Sequence, residues 1–107
     1  MLIPQDDFQR YFNLQTLQTH PDDYERACAI AEDRFVKLLR IKEPDFTLPS
    51  SQEELTPIQK ELLMHLILIE ILKTDNYVWE ENKGRVSIKR ITSQADRLTR
   101  LAHKELK

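Results

Sequence analysis

Apolar residues recur along much of this chain with the spacing of helices. Tyr24, Ala27, Cys28, Ala31, Phe35, Leu38 and Leu39 fall at i, +3, +4, +7, +11, +14 and +15, one unbroken stripe of a helix that packs by a single face. Its start is marked by Pro21, preorganised for a first helical position, with Asp22 and Asp23 at the positive end of the helix dipole. Lys37, Arg40 and Lys42 close it at the other end, and Pro44 and Pro49 mark Glu43 to Ser51 as a loop. Upstream, Pro4, Asp6 and Asp7 open a short helix with Phe8, Tyr11 and Phe12 on one side, and Asn13 to Thr19 reads as a connector whose Leu14 and Leu17 dip toward the core.

A second long helix starts at Thr56-Pro57-Ile58-Gln59, a capping box with proline at the first helical position. Its middle, Leu62 to Leu72, is interrupted only by His65 and Glu70 and leaves no polar face. Such a helix is central or shares one side with another chain, and Leu63, Ile67 and Ile71 are the expected apolar inter-subunit face. The pattern runs on through Tyr77, Val78 and Trp79 toward Gly84, the residue suited to a left-handed stop. Arg85 to Thr92 then alternates as a short half-buried strand would, with Met1-Leu2-Ile3 or an adjacent subunit as pairing partner. Ser93 caps a last helix with Ala95, Leu98, Leu101, Ala102 and Leu106 on its apolar side. The expected fold is mainly α: a small helical bundle with at most one short β-strand or hairpin near residues 85–92.

Charge changes the picture more than composition does. Residues 1–82 carry 8 Lys/Arg against 16 Asp/Glu, whereas residues 83–107 carry 8 against 2. The near-neutral total of −2 thus hides about −8 on the body and +6 on the tail. Complementary fields of this kind orient and speed encounter between macromolecules, so the chain reads as a single domain, 1–107, with 83–107 as a basic assembly or docking extension. Lys83, Arg85, Lys89, Arg90, Arg97, Arg100 and Lys104 are its docking residues.

A single glycine in 107 residues excludes phosphate-cradling loops and dinucleotide fingerprints, which need several glycines for close backbone approach. Cys28 has no partner for an intramolecular disulfide, points to a reducing compartment, and reads as a small buried hydrophobe. The N-terminal residues have no basic flank or apolar run of a secretory signal, and the longest apolar stretch is about half of the ~20 residues a membrane span needs, so a soluble protein with no membrane partner is expected. His20, His65 and His103 show no metal-binding spacing, and the adjacent carboxylates Asp22/Asp23, Glu32/Asp33, Glu53/Glu54 and Glu80/Glu81 point about 100° apart on a helix. No metal, cofactor or catalytic residue is expected. His65 reads as a core or interface histidine with a hydrogen-bonded ring.

Two alternatives share the basic tail. It suits a small helical module binding nucleic acid or an acidic partner, with salt-dependent affinity. Arg97 and His103, five residues between them, resemble the arginine–histidine motif of helical RNases of the HEPN superfamily, in which the arginine stabilises phosphate charge and the histidine moves a proton.

The order of elements, the helix from Pro21 to Ile41, the capped helix from Thr56, and Lys83-Gly84-Arg85-Val86-Ser87-Ile88-Lys89-Arg90-Ile91 together resemble the head-to-tail connector (adaptor) proteins of tailed bacteriophages, over roughly residues 20–95. Family members often carry Gly-Asp after the extended segment, where this chain has Gln94-Ala95-Asp96. The resemblance implies a non-enzymatic structural subunit of the virion neck, assembled in the host cytoplasm. It further implies a homo-oligomeric ring, commonly of twelve, bound to the portal and to tail or stopper proteins, with DNA passing nearby. Heterologous contacts between unlike faces close into such rings.

Overall fold

The computed structural model describes residues 1–12, 21–74 and 88–106. Among them are four α-helices, α1 (Gln5–Tyr11), α2 (Pro21–Arg40), α3 (Pro57–Thr74) and α4 (Ile88–Leu106), one 3₁₀ turn (Gln52–Glu54), and no strand. The fold is a small all-α bundle around one continuous apolar core.

The signals at the helix starts are realised atom by atom. The Thr56 hydroxyl accepts from the Gln59 backbone N–H at 3.1 Å while the Gln59 side chain accepts from the Thr56 N–H at 3.0 Å, the reciprocal pair that satisfies two otherwise orphaned donors. The same hydroxyl donates to Glu105 at 2.7 Å, which ties the end of α4 to the beginning of α3 and makes the two antiparallel. In α2 the predicted stripe is the buried one: Tyr24, Ala27, Cys28, Ala31, Phe35 and Leu39 are all enclosed, and Leu38 is half-buried.

α3 lies between α2 and α4, packing closely against both, while α2 and α4 touch each other only lightly. Its third side is closed by the N-terminal segment and α1. Leu2 and Ile3 are buried there by side-chain anchoring, not by strand pairing: the Leu2 N–H donates to Glu32 at 2.7 Å and the Tyr24 hydroxyl donates to the Ile3 carbonyl at 2.7 Å. Phe8 follows, packed at 5.3 Å between ring centroids from Tyr24 and 5.2 Å from Phe12. After α2 the loop folds back under Arg40, whose Nε donates to the Phe46 carbonyl at 2.8 Å, and Phe46 meets Phe35 edge-on.

This enclosure corrects the expected inter-subunit face. Leu63, Ile67 and Ile71 are 0 %, 0 % and 2 % exposed, so they are core residues of the chain that carries them. Three separate elements reach α3 from different sides, and a helix so covered needs no polar face.

The expected strand is corrected as well over the residues described. Ile88 to Thr92 form the first turns of α4, which therefore begins before Ser93. Ile91, Ala95, Leu98 and Ala102 fall at i, +4, +7 and +11 and are buried together against α3, with Ile88 half-buried one turn earlier. The alternation of Val86 and Ile88 is two residues deep, whereas the helical stripe is four turns long and has a partner; burial decides for the longer pattern. Leu14, Leu17, Tyr77, Val78, Trp79, Gly84, Arg85 and Val86 lie outside the described residues.

Candidate functional site

α4 is strongly two-sided. Opposite its buried stripe, Arg90, Ser93, Arg97, Arg100 and Lys104 recur at i, +3, +7, +10 and +14, a nearly straight row along the outer face about 21 Å long at 1.5 Å per residue. The four basic members and the neighbouring Lys89 are exposed. Lys83 and Arg85, the other two expected docking residues, lie outside the described residues.

The electrostatics of the row differ from those of the body. On the other helices cations sit beside their own acids: Arg10 with Asp7 at 3.6 Å, Arg26 with Asp23 at 3.1 Å, Lys37 with Asp33 at 3.0 Å, and Glu70 shared between Lys73 at 3.1 Å and Arg34 at 4.0 Å. Among the described residues Lys89, Arg97, Arg100 and Lys104 form no such pair. Their positive field is directed outward, where it acts on whatever approaches.

The histidines divide. His103 lies half-buried between α4 and α2, its Nε2 2.7 Å from the Leu38 carbonyl. Leu38 is in the last turn of α2, where carbonyls lack intrahelical partners, so a donated N–H caps them. Arg97 lies elsewhere on the helix, since six positions leave the two side chains roughly 120° apart. His65 is 7 % exposed, with Nδ1 2.7 Å from the Glu61 carbonyl and its ring edge-on to Phe12 at 5.2 Å. A carbonyl only accepts, so Nδ1 carries the proton and Nε2 is the nitrogen left for other contacts.

Among the described residues, cavities open on the bundle at three places. One, of about 580 Å³, lies where α4 crosses His65 and is lined by His65, Ser93, Gln94, Arg97 and Arg100, with Arg90 and Ile91 at its side. The basic row therefore meets a buried imidazole. A second, of about 460 Å³, is the furrow left between α2 and α4 and is walled by Arg34, Leu66, Asp96, Thr99 and Arg100. The third, of about 520 Å³, lies between α1, the 3₁₀ turn and α3. Its polar groups are largely committed to one another: the Tyr11 hydroxyl donates to Glu61 at 3.1 Å and the Gln52 amide donates to Asp7 at 3.0 Å. Desolvation, with help from the Glu61 carboxylate, pushes the Tyr11 hydroxyl up to about 12, so near neutral pH it stays a protonated donor and not a base.

Cys28 is buried at the α2 interface, and burial pushes its thiol up to about 11. The thiolate is the reactive form, so Cys28 is inert in the folded protein. Native protein at pH 8 is expected to leave a thiol reagent such as dithionitrobenzoate unreacted for as long as it stays folded, and to release one equivalent in denaturant. Fast stoichiometric reaction without denaturant would contradict the burial.

Among the described residues no cluster of His, Cys, Asp and Glu is arranged to hold a metal ion, and no helix is long and apolar enough to cross a membrane. No family model matches the chain, and no curated protein or solved structure matches it either. Sequence patterning pointed to the arginines of α4, but not to the imidazole beside them. Only the crossing of α4 over α3 brings Ser93 and Arg97 to His65, which is separated from them by the whole segment between the two helices.

Proposed function

We propose that this protein is a non-enzymatic assembly subunit that docks onto an acidic protein surface through the basic outer row of α4. In its specific form, carried by the resemblance of the element order and of residues 83–91, it is a head-to-tail connector (adaptor) of a tailed-phage neck, forming a ring with copies of itself between portal and tail or stopper. The observation that supports docking is the row itself: exposed basic side chains at heptad spacing on a chain whose body is acidic, of which Arg97, Arg100 and Lys104 form no ion pair among the described residues. Ring closure then depends on charge more than on apolar area, because Leu63, Ile67 and Ile71 are used up in the core. Interfaces of this kind gain on-rate and orientation from complementary charge and lose them to salt.

A protein partner is favoured over a nucleic acid because α4 holds no Phe, Tyr or Trp on which bases could stack. Sedimentation of the full chain, alone and mixed with a portal ring, tests the reading. Association is expected at about 50 mM salt and is expected to fall away toward 0.5 M as the Debye length shrinks. A monomer at every salt and protein concentration, both alone and with portal, overturns it.

A further inference from the structure

We propose that the cavity between α3 and α4 is a binding site for a phosphate group, formed by Arg97, Arg100, Ser93 and Gln94 around the buried ring of His65. The site shares Arg97 and Arg100 with the docking row but adds Ser93, Gln94 and His65 and takes a different ligand. Its lining is the main argument. Among the described residues it offers guanidinium, hydroxyl, carboxamide and imidazole groups and no carboxylate, whereas both other cavities include acidic side chains. A lining rich in donors matches an oxyanion, and guanidiniums bind phosphate oxygens in paired, charge-assisted hydrogen bonds.

The second argument is the imidazole. His65 is more than nine-tenths buried yet lines this cavity, and its Nδ1 is already given to the Glu61 carbonyl. That bond fixes the ring, so Nε2 is presented at a set place and becomes a donor when the ring is protonated. The same ring lines the cavity with Ser93, Gln94, Arg97 and Arg100.

The number of donors favours phosphate over carboxylate. A carboxylate presents two oxygens in one plane, while the three or four oxygens of a phosphate point around a tetrahedron and can engage two arginines and the Ser93 hydroxyl from different sides. The cavity, about 580 Å³, is also much larger than a bare anion, which leaves space for the organic part of a phosphoester. A small phosphorylated compound and a nucleic-acid strand both present this chemistry, and the test separates them.

The test is a two-dimensional NMR titration of the full chain with inorganic phosphate, against sodium chloride of equal ionic strength, followed by adenosine monophosphate and a single-stranded oligothymidylate. Saturable shifts centred on the His65 ring, Ser93 and Gln94 are expected with phosphate and not with chloride. Loss of one charge-assisted contact in Arg97→Ala is expected to weaken binding by about tenfold or more, with Arg26→Ala on α2 as an unaffected control. His65→Gln keeps a polar side chain at the position and is expected to weaken it as well; Arg97→Ala, at an exposed position, keeps the test open if that variant fails to fold. Saturation by phosphate and monophosphate alone assigns a small ligand, and saturation by the oligonucleotide at the same residues assigns a strand. Shifts that chloride reproduces, or binding indifferent to Arg97→Ala, overturn the site. Because Lys89 and Lys104 do not line the cavity, Lys89→Glu with Lys104→Glu separates the two readings: it is expected to impair docking and to spare His65 shifts.

Discussion

Ile67→Ala is expected to lower the unfolding free energy by about 2–5 kcal/mol, the range for truncating a buried aliphatic side chain and leaving a cavity. For a domain of this size that is a loss of about 10–30 °C in melting temperature, a large part of the 5–15 kcal/mol that small domains possess. The expectation rests on position. Ile67 is fully buried at the middle of α3, which among the described residues is the helix that packs closely against two others, so α2 and α4 have no room to collapse into the space without giving up their own contacts. Urea denaturation at two protein concentrations tenfold apart measures it. An equal loss at both marks Ile67 as core of its own chain. A variant as stable as the parent, deficient only in self-association, would restore Ile67 to an interface and contradict the burial of α3 within one molecule.

Arg97→Glu, Arg100→Glu and Lys104→Glu together are expected to weaken docking by about 100-fold or more at low salt, because like charges set against an acidic surface cost several kcal/mol. Each substitution reverses an exposed charge, and together they change the net charge of the row by six units. The fold is expected to tolerate this, since exposed substitutions away from caps and core are usually within about 0.5 kcal/mol, and His103, the one nearby polar residue that braces α4 to α2, is untouched. Sedimentation or light scattering reads the association, and a melting curve shows that the variant is folded. The salt dependence is expected to vanish with the association. Association of undiminished strength would dispose of the row as the docking surface, and a collapse of the melting temperature would show that its charges serve the fold instead.

The helices were largely legible in the residues because their causes are local. Pro21 with its two aspartates, and the Thr56–Gln59 box, act over one turn, and the stripe from Tyr24 to Leu39 is the same whether read as spacing or as burial. The short apolar face of α1 is similarly local, although only Phe8 of its three aromatics is fully enclosed. The start of α4 was misplaced at Ser93, because the two-residue alternation at Val86 and Ile88 competed with Ile91, which continues the stripe back from Ala95 and Leu98. Periodicity over so few positions does not distinguish strand from helix, and the contact with α3 settles it.

What the residues could not carry was the identity of the neighbours. An all-apolar helix is consistent with a central place in one molecule or with a shared face between two. The difference lies in whether other elements reach all its sides, which is a matter of chain path and not of composition. Here α2 and α4 pack against α3, Tyr11 and Phe12 reach it at Glu61 and His65, and the hydrogen bonds from Leu2 to Glu32 and from Tyr24 to Ile3 hold the N-terminal segment against α2. By itself, then, the amino-acid order determined helix positions, the two-sided character of α4 and the polarity of charge between body and tail, since these follow from near neighbours and simple sums. The tertiary structure alone decided that Leu63, Ile67 and Ile71 face inward, that His103 caps α2, and that His65 shares a cavity with the arginines of α4, because each depends on elements distant in the chain being packed together around a common core.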